Sequence, residues 1–463
     1  MPRYLLHEDI ALRSYETIPF CYYRKGACKP CIISREEFSA LLSCDGTDVL
    51  PEDDTVRSLL ERGIIREKVS EDEALLPWQY YHYCSSDFAF GLTLEITQRC
   101  NCNCLHCFNA TGSEEPKEEL SLNQILQILD EAYECGIFFI TLTGGEPLLH
   151  RDFTAITDAI SERGIELTEL NTNGSFLTEE LLDRFLQKGY DPLIKISYDG
   201  IGFHDEMRGR AGMEDAALSA IRLAVQKGFR VMVQMNVNRR NESVILPSLS
   251  MLDDMQVYET RLIRTVETPR WEMLHKGESL DWEEFYHRSL ELLQTYCSED
   301  HAMNIWVWSL LKASPLDRTY QESFTKFQEG GFKGCAAVCS SSRTIPAIGA
   351  NGRLYPCLQA SDHFDAHGIF LGSVLENSLE DLLKGPDYQR MICMTLDERA
   401  ERHPECCSCE YFQICGGGCP AMGLLYSGAY GAADPTKCLI FKRGIHQKIK
   451  KLFDDLGYQK LSL

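Results

Sequence analysis

Four cysteines stand in the eight residues CNCNCLHC that begin at Cys100, and this stretch limits the architecture of the chain more than any other. Cys100, Cys104 and Cys107 follow the spacing C-x3-C-x2-C, whereas Cys102 falls outside it and is not expected to be a ligand. Three thiolates on a short loop can hold three irons of a 4Fe–4S cluster and leave the fourth iron open for a small molecule. A zinc loop that includes His106 is the alternative, but zinc sites usually add a second pair of ligands and none lies nearby in the sequence. The motif therefore favours iron–sulfur chemistry.

Length, cysteine usage and charge narrow the class of protein further. A chain of 463 residues is too long for one ordinary core and predicts two or three domains. No apolar run is long enough to span a membrane, and the charged start MPRYLLHEDIALRSYE lacks the apolar segment of a signal peptide. We therefore expect a cytoplasmic protein without a membrane partner, in which 21 cysteines indicate metal or redox chemistry rather than disulfides. The net charge of −23 argues against a nucleic-acid partner, because phosphates would be repelled.

The elements around the cysteine loop predict the opening of a parallel α/β fold. FGLTLEIT before the loop is typical of a buried strand. After the loop, apolar residues recur at helical spacing between a capping box at Ser121 and Gln124 and a helix end at Gly136. IFFITLT then predicts a second strand that enters a glycine turn. A strand, a loop, a helix and a strand in this order form the first unit of such a fold.

The turn after the second strand is GGEP, formed by Gly144, Gly145, Glu146 and Pro147. Together with the three-cysteine loop it resembles the radical S-adenosylmethionine (radical SAM) superfamily. Glycines let a backbone approach a ligand closely, and Glu146 can accept hydrogen bonds from an ammonium group. The resemblance implies that the turn binds the amino group of S-adenosylmethionine (SAM), and that SAM chelates the open iron. It further implies reductive cleavage of SAM to a 5′-deoxyadenosyl radical that abstracts hydrogen from a substrate, chemistry that belongs to the cofactors.

Polar residues also follow the next predicted strands, where the carboxyl ends of parallel strands line a ligand crevice. By the resemblance, Asn173 and Ser197 contact the ribose or carboxylate of SAM, and Arg208 contacts its carboxylate. His204 and Asp205 are expected to be structural. Alternation of strands and helices continues through FRVMVQMNV and YETRLIRTVE, which predicts a partial (β/α)6 barrel over residues 86–310.

The remaining cysteine clusters lie within residues 311–463 and resemble the SPASM extension of peptide- and protein-modifying radical SAM enzymes. Eight thiolates suffice for two fully ligated auxiliary 4Fe–4S clusters, which would bring the total to three clusters. Structural zinc sites are the alternative that these spacings also permit. By the resemblance the ligands interleave, with Cys335, Cys339, Cys357 and Cys419 on the cluster nearer the barrel and Cys406, Cys409, Cys415 and Cys438 on the outer one.

Residues 1–85 precede the barrel and predict a small module of their own. SREEFSALLSCDG carries a capping box at Ser34 and Glu37 and a predicted helix end at Gly46, and a second short helix ends at Gly63. Strands before these helices and a strand after them resemble a winged-helix recognition element. In peptide-modifying enzymes such a module binds the leader of a ribosomally made precursor peptide by pairing it to a sheet edge.

These patterns favour a peptide-modifying radical SAM enzyme that forms a thioether or a carbon–carbon crosslink, with flavodoxin or ferredoxin as its electron donor. One alternative is formylglycine formation of the anaerobic sulfatase-maturase type, but those enzymes carry an aspartate where this chain has Leu358. The other is an iron–sulfur electron carrier without SAM chemistry, which the cysteine loop and GGEP disfavour. The sequence identifies no catalytic base.

Overall fold

The computed structural model describes residues 2–107, 117–327 and 330–461. A sheet of twelve strands forms its centre, and two small sheets of three and four strands stand before it. None of the helices in these described ranges combines the length and the apolar character needed to cross a bilayer.

The N-terminal segment builds the two small sheets around two short helices. The three-stranded sheet has the antiparallel order β5-β1-β6, and the four-stranded sheet has the order β4-β3-β2-β7. The elements are β1 Arg3–Leu6, β2 Ile10–Ser14, β3 Cys21–Arg24, β4 Cys31–Ile32, α1 Arg35–Leu42, β5 Asp45–Val49, α2 Asp54–Glu61, β6 Ile65–Glu67 and β7 His82–Tyr83.

The capping box predicted at Ser34 and Glu37 is confirmed at the start of α1. The predicted end of that helix at Gly46 is wrong, because α1 ends at Leu42 and β5 begins three residues later. Gly46 lies inside β5 with a φ of +84°, and a Cβ there would lie 2.8 Å from the Leu5 side chain. Tertiary pairing of β5 with β1 therefore replaces the last predicted turn of helix.

Aromatic side chains join this segment to the outside of the central sheet. The Tyr15 hydroxyl donates a hydrogen bond to the carbonyl oxygen of Gly136 at 2.6 Å, and both groups are buried. Tyr23 stacks on Phe138 with ring centroids 3.9 Å apart. Trp78 completes this buried cluster. The N-terminal segment is therefore held against the helix end at Gly136 by packing as well as by hydrogen bonds.

Six strands, β8 to β13, pair in sequence order and in parallel, with helices between them, as the predicted partial (β/α)6 barrel requires. Ser121 and Gln124 form the predicted capping box, and Gly136 ends the helix with a φ of +84°. The elements are β8 Gly91–Glu95, α3 Leu122–Cys135, β9 Phe139–Thr143, α4 Phe153–Glu162, β10 Glu166–Thr172, α5 Glu179–Gln187, β11 Leu193–Ser197, α6 His204–Arg208, α7 Met213–Gln226, β12 Val231–Val237, α8 Glu242–Asp254, β13 Glu259–Arg264, α9 Pro269–His275 and α10 Trp282–Tyr296.

The C-terminal region extends the same sheet at both ends. At one end β14 adds a parallel strand, and the hairpin of β15 and β16 and the last strand β19 follow it. The strands are β14 Asn304–Val307, β15 Leu311–Ser314, β16 Thr319–Glu322, β17 Ala347–Ile348, β18 Leu354–Tyr355 and β19 Gln459–Lys460. The sheet thus continues across the boundary expected near residue 310, and the domain boundaries remain predictions.

At the other end, β17 pairs in parallel with β8, so that Ala347 lies opposite Thr93 and Ile348 opposite Leu94. Its partner β18 then forms the outer strand of the sheet. The helices of this region surround the remaining cysteines. They are α11 Ser340–Thr344, α12 Ser361–Ala366, α13 Leu379–Leu383, α14 Pro386–Ile392, α15 Leu396–Arg402, α16 Pro404–Cys407, α17 Phe412–Cys415, α18 Pro420–Ser427, α19 Pro435–Lys442 and α20 Ile445–Asp455.

Candidate iron–sulfur and SAM site

The GGEP turn lies directly on the backbone that leads into the cysteine loop. The Gly145 N–H donates to the Thr97 carbonyl oxygen at 2.7 Å, and the Glu146 N–H donates to the Arg99 carbonyl oxygen at 2.8 Å. A Cβ atom at Gly144 would lie 2.6 Å from the Thr97 oxygen, and one at Gly145 would lie 2.6 Å from the Arg99 oxygen. Both contacts are with backbone, so glycine is required at both positions. The structure therefore holds the turn and the cysteine loop together, and the glycines allow a close approach to the chain's own backbone.

Three thiols of the loop, those of Cys100, Cys102 and Cys104, interact with one another. Hydrogen bonds to Cys100 and Cys104 raise the pKa of Cys102 far above its usual range, so this thiol keeps its proton. The hydrogen bond from Cys102 lowers the pKa of Cys100 and holds that of Cys104 well below the usual value, where Arg208 adds to the effect. The two predicted ligands are thus the more acidic thiols, and the assignment of Cys102 as a bystander remains a prediction.

Side-chain donors surround the sulfurs of this loop. The Asn173 amide donates to the Sγ of Cys102 at 3.6 Å and lies 3.9 Å from that of Cys100. The Arg208 guanidinium donates to the Sγ of Cys104 at 3.7 Å. Donors of this kind stabilise metal-bound thiolates and tune iron–sulfur clusters. The thiols and their donors therefore fit an iron–sulfur cluster.

Within the described ranges, no three His, Cys, Asp or Glu side chains converge on a point that would hold a single metal ion. A cubane ligand set need not converge in this way, because each thiolate binds a different iron. Cys107, the third expected ligand, is the last described residue before residues 108–116, and its N–H donates to the Cys104 carbonyl oxygen at 3.4 Å. The ligand assignment remains a prediction.

Glu146 is fully buried, and its carboxylate faces the end of β10. It accepts hydrogen bonds from the Thr172 hydroxyl and the Asn173 N–H, both at 2.7 Å, and from the Leu148 N–H at 3.2 Å. Burial raises the pKa of Glu146 to about 7, although these hydrogen bonds act in the opposite direction. Groups of the chain itself therefore engage both carboxylate oxygens, and the expected contact of Glu146 with the amino group of SAM remains a prediction.

Arg208, expected to meet the carboxylate of SAM, pairs with Asp199 at 2.9 Å in a buried network. Asp199 is fully buried and also accepts from the Asn236 N–H at 3.1 Å. Although burial alone would raise the pKa of Asp199, the charge of Arg208 and a hydrogen bond with His204 hold it well below its usual range. His204 belongs to this network, which agrees with its expected structural role. A contact between Arg208 and SAM remains untested.

The same network reaches the cysteine loop through His106. The amide nitrogen of Asn236 lies 2.9 Å from the Nε2 of His106, and this side chain is half-buried. Burial lowers the pKa of His106. The sequence analysis did not single out Asn236, although its place near the end of the strand FRVMVQMNV was the signal that could have found it. His106 therefore connects the loop to β12, and Arg208 connects it to Asp199, which follows β11.

Ser197 lies at the end of β11 and begins a row of polar residues across neighbouring strands. It pairs in register with Gln234, Gln234 with Arg261, and Arg261 with Trp306, so the four residues share one face of the sheet. The Arg261 guanidinium stacks 3.9 Å from the centre of the Trp306 ring. Among the described residues, the buried Arg261 Nε and Trp306 Nε1 have no hydrogen-bond partner. This row offers donors on the face that carries Ser197.

The auxiliary cysteines separate into two groups in the structure. Cys357 and Cys419 pack against one apolar cluster, and Cys339 interacts electrostatically with both thiols. Cys406 and Cys409 pack against another apolar cluster.

Cys438 interacts electrostatically with Cys406, Cys409 and Cys415, and this completes the second group. Burial raises the pKa of Cys357 to about 12 and that of Cys406 to about 11. Seven of the eight thiols are thus grouped as the interleaved ligand sets predict, whereas Cys335 is exposed. The ligand sets themselves remain predictions.

Comparison with known proteins places these features in a family. Residues 94–244 match the family model of the radical SAM superfamily, and residues 339–410 match SPASM, an iron–sulfur cluster-binding domain. The AdoMet-dependent heme synthase of Methanosarcina barkeri is 23% identical over 350 residues, which cover 74% of this chain and 94% of that protein. The mycofactocin maturase MftC of Mycolicibacterium smegmatis is 26% identical over 360 residues, which cover 75% of this chain and 82% of that protein.

Among solved structures, Streptococcus suis SuiB bound to its precursor peptide SuiA superimposes with a TM-score of 0.62 and 14% sequence identity. The match covers 95% of this chain and 100% of that chain, and it shows a shared fold. The family matches include the cysteine loop, the GGEP turn and four of the eight expected auxiliary ligands, which are Cys339, Cys357, Cys406 and Cys409. The chain therefore contains a radical SAM domain and, C-terminal to it, a SPASM domain.

Proposed function

We propose that this enzyme modifies a ribosomally made precursor peptide by forming a thioether or a carbon–carbon crosslink. When bound to the 100–107 loop, the 4Fe–4S cluster and SAM supply a 5′-deoxyadenosyl radical that abstracts hydrogen from the peptide. One observation carries the proposal: three features occur together in this chain. They are the cysteine loop with its GGEP turn, the two groups of auxiliary thiols, and an N-terminal module that packs on the barrel. MftC, a relative over three quarters of this chain, is itself a maturase.

The N-terminal module supports a peptide substrate. The outer strands of its three-stranded sheet are β5 and β6, and within the described residues each pairs with β1 alone. An extended peptide can add to such an edge through backbone hydrogen bonds. The part of this chain outside the SuiB superposition is much shorter than residues 1–85, so most of the module belongs to the shared fold. We therefore assign leader binding to an edge of this sheet.

The chain's own residues prepare the site. The N–H groups of Gly145 and Glu146 hold the SAM-binding turn on the backbone that leads into the cysteine loop. Asn173 donates to Asn101 of that loop, and Ser197 lies at the end of β11. Two fully ligated auxiliary clusters, bound in the SPASM domain, have no open iron for SAM and act in electron transfer or substrate positioning. A small cytoplasmic electron carrier such as flavodoxin or ferredoxin delivers the initiating electron.

Formylglycine formation is disfavoured by the residue that follows Cys357. Leu358 begins a short 3-10 turn where the sulfatase maturases carry an aspartate base, and its side chain cannot accept a proton. An electron carrier without SAM chemistry is disfavoured by the match of residues 94–244 to the radical SAM family.

The test uses protein reconstituted without oxygen and incubated with SAM, dithionite and short peptides encoded beside its gene. We expect 5′-deoxyadenosine together with a peptide that has lost two hydrogens, both measured by mass spectrometry. Cys100→Ala should abolish SAM cleavage, whereas Cys407→Ala, at an exposed cysteine outside both ligand sets, should leave it intact. SAM cleavage without change in any encoded peptide, or retained cleavage in Cys100→Ala, would contradict the proposal.

A second experiment addresses the leader. Deletion of residues 1–85 should weaken peptide binding, measured by fluorescence anisotropy, and spare SAM cleavage in the absence of peptide. The uncoupled cleavage also serves as the folding control, because the deletion uncovers Phe138 on the barrel. Unchanged peptide affinity would show that the leader binds elsewhere.

A further inference from the structure

Three glycines in succession, Gly416, Gly417 and Gly418, join the two groups of auxiliary thiols. They connect Cys415 to Cys419, which belong to different groups, and all three have positive φ angles of 61°, 78° and 75°. Such a backbone strongly favours glycine. The positive φ angles explain why the residues are glycines, but they do not explain what packs against them.

A cationic side chain packs against each of the three glycines. A Cβ at Gly416 would lie 2.9 Å from the Cδ of Lys326, and one at Gly417 would lie 3.0 Å from the Nε of Arg399. A Cβ at Gly418 would lie 2.7 Å from the Cγ of Lys437. The three cations come from distant parts of the sequence, and all of them interact electrostatically with the thiols of Cys415 and Cys419.

Arg399 and Lys437 are buried, Lys326 is half-buried, and all three cations donate hydrogen bonds to backbone carbonyl oxygens. Arg399 is fully buried, and its guanidinium donates to four backbone carbonyl oxygens, two of them in the glycine loop, at 2.5–2.9 Å. The ammonium groups of Lys326 and Lys437 likewise donate to carbonyl oxygens, those of Val338 and Ser309. Within the described ranges, none of the three cations has a carboxylate oxygen within 4 Å.

One carboxylate, that of Asp434, lies at the same loop and is 1% exposed. It accepts from the Cys419 N–H at 3.2 Å and from the Thr436 N–H at 2.9 Å. Among the residues that the structure describes, these three cations and this one anion leave a net positive charge around the loop. Burial of uncompensated charge is strongly unfavourable. A buried excess of positive charge therefore indicates that an anion belongs beside it.

We propose that Lys326, Arg399 and Lys437 form a cationic cradle that compensates the negative charge of the auxiliary clusters and raises their reduction potentials. A cube with four thiolates is an anion, and one added electron makes it more negative, so nearby cations stabilise the reduced state. Solvent is largely excluded from the loop, which strengthens the effect. This inference rests on the proposed binding of clusters by these thiols. With the three cations beside them, the auxiliary clusters accept electrons more readily than they would with their thiolate ligands alone.

The experiment is a potentiometric titration of the reconstituted full-length chain without oxygen, followed by electron paramagnetic resonance. Cys100, Cys104 and Cys107 are replaced by alanine in every sample, so that only auxiliary clusters contribute to the signal. Lys437→Met and Lys326→Met keep the apolar stem and remove the charge. At a fixed applied potential, each should lower the ratio of reduced to oxidised auxiliary cluster about tenfold, which is ~59 mV for a one-electron couple.

Two further variants separate electrostatics from structural support. Asp434→Asn removes the negative charge and should raise the ratio of reduced to oxidised cluster. Lys437→Arg keeps the positive charge and should leave that ratio at the wild-type value. Lys450→Met, at an exposed lysine of α20, makes the same chemical change at the surface and should leave the ratio unchanged.

Iron and sulfide analysis and thermal unfolding accompany every titration. Full cluster content with unchanged potentials in both lysine variants would overturn the cradle, as would shifts of the same sign in Lys437→Met and Asp434→Asn. Absence of iron from the background protein would overturn the auxiliary clusters themselves. The proposed peptide modification is tested separately, because the titration requires neither SAM nor peptide.

Discussion

Gly145→Ala tests whether the contact between the GGEP turn and the cysteine loop is required for SAM chemistry. The added Cβ would lie 2.6 Å from the carbonyl oxygens of both Gln98 and Arg99. An ordinary C···O contact is about 3.3 Å, so the turn and the loop must separate by about 0.7 Å. Because both obstacles are backbone atoms, no side-chain rotation can relieve the overlap.

That separation stretches the two hydrogen bonds that join the segments. The Gly145 N–H to Thr97 bond at 2.7 Å and the Glu146 N–H to Arg99 bond at 2.8 Å would both lengthen to the limit of a hydrogen bond. Their loss would destabilise the protein by about 1–3 kcal/mol. A displacement of this size at a reacting centre lowers rates by roughly tenfold to a hundredfold.

The assay combines thermal unfolding, SAM binding by equilibrium dialysis, and 5′-deoxyadenosine by chromatography. Gly228→Ala is the control, because its Cβ would meet no atom within 4 Å and its φ is +87°. It should lose about 1–2 kcal/mol through backbone strain alone and keep SAM cleavage. If Gly145→Ala cleaves SAM at the wild-type rate, or if both variants lose activity equally, the turn does not position SAM as argued.

Three shorter predictions follow from the same structure. Cys104→Ala should lose the iron of the barrel cluster whereas Cys102→Ala should keep it, as iron analysis and electron paramagnetic resonance would show; equal loss would make Cys102 a ligand. Asp199→Asn leaves the buried Arg208 charge unpaired and should destabilise the protein by about 3–5 kcal/mol in urea titrations, and a change below ~1 kcal/mol would refute the burial argument. Tyr15→Phe removes the buried hydrogen bond to the barrel and should lower the free energy of unfolding by about 1–2 kcal/mol, with SAM cleavage at the wild-type rate. A loss of cleavage would show that the N-terminal module affects the barrel site.

The sequence was sufficient for the local features of the site because their determinants are close together in the chain. The spacing of Cys100, Cys104 and Cys107, the glycines of GGEP and the capping box at Ser121 are each read within a few residues. Strand ends could be placed for the same reason, since alternation of strands and helices fixes which polar residues reach the carboxyl edge of the sheet.

Partners distant in sequence could not be read in this way. The end of α1 was misplaced because β5 pairs with β1, a contact across about forty residues. Arg208 could not be matched with Asp199 in advance, since either residue alone suits a ligand-binding edge. The position of Lys326 beside Gly416 depends on the fold of the whole SPASM region, and no spacing in the sequence records it.

The pairing of β8 with β17 has a consequence for how the chain is made. Thr93 meets Ala347, a residue synthesised 254 positions later. Because synthesis proceeds at about 5–20 residues per second, roughly 10–50 seconds pass between the synthesis of β8 and that of its partner β17. During that interval its backbone donors and acceptors face outward, and an unpaired edge is a template for association with other chains. Nascent chains stalled before residue 340 should therefore bind holdase chaperones through this strand, and release from them should coincide with emergence of the SPASM segment.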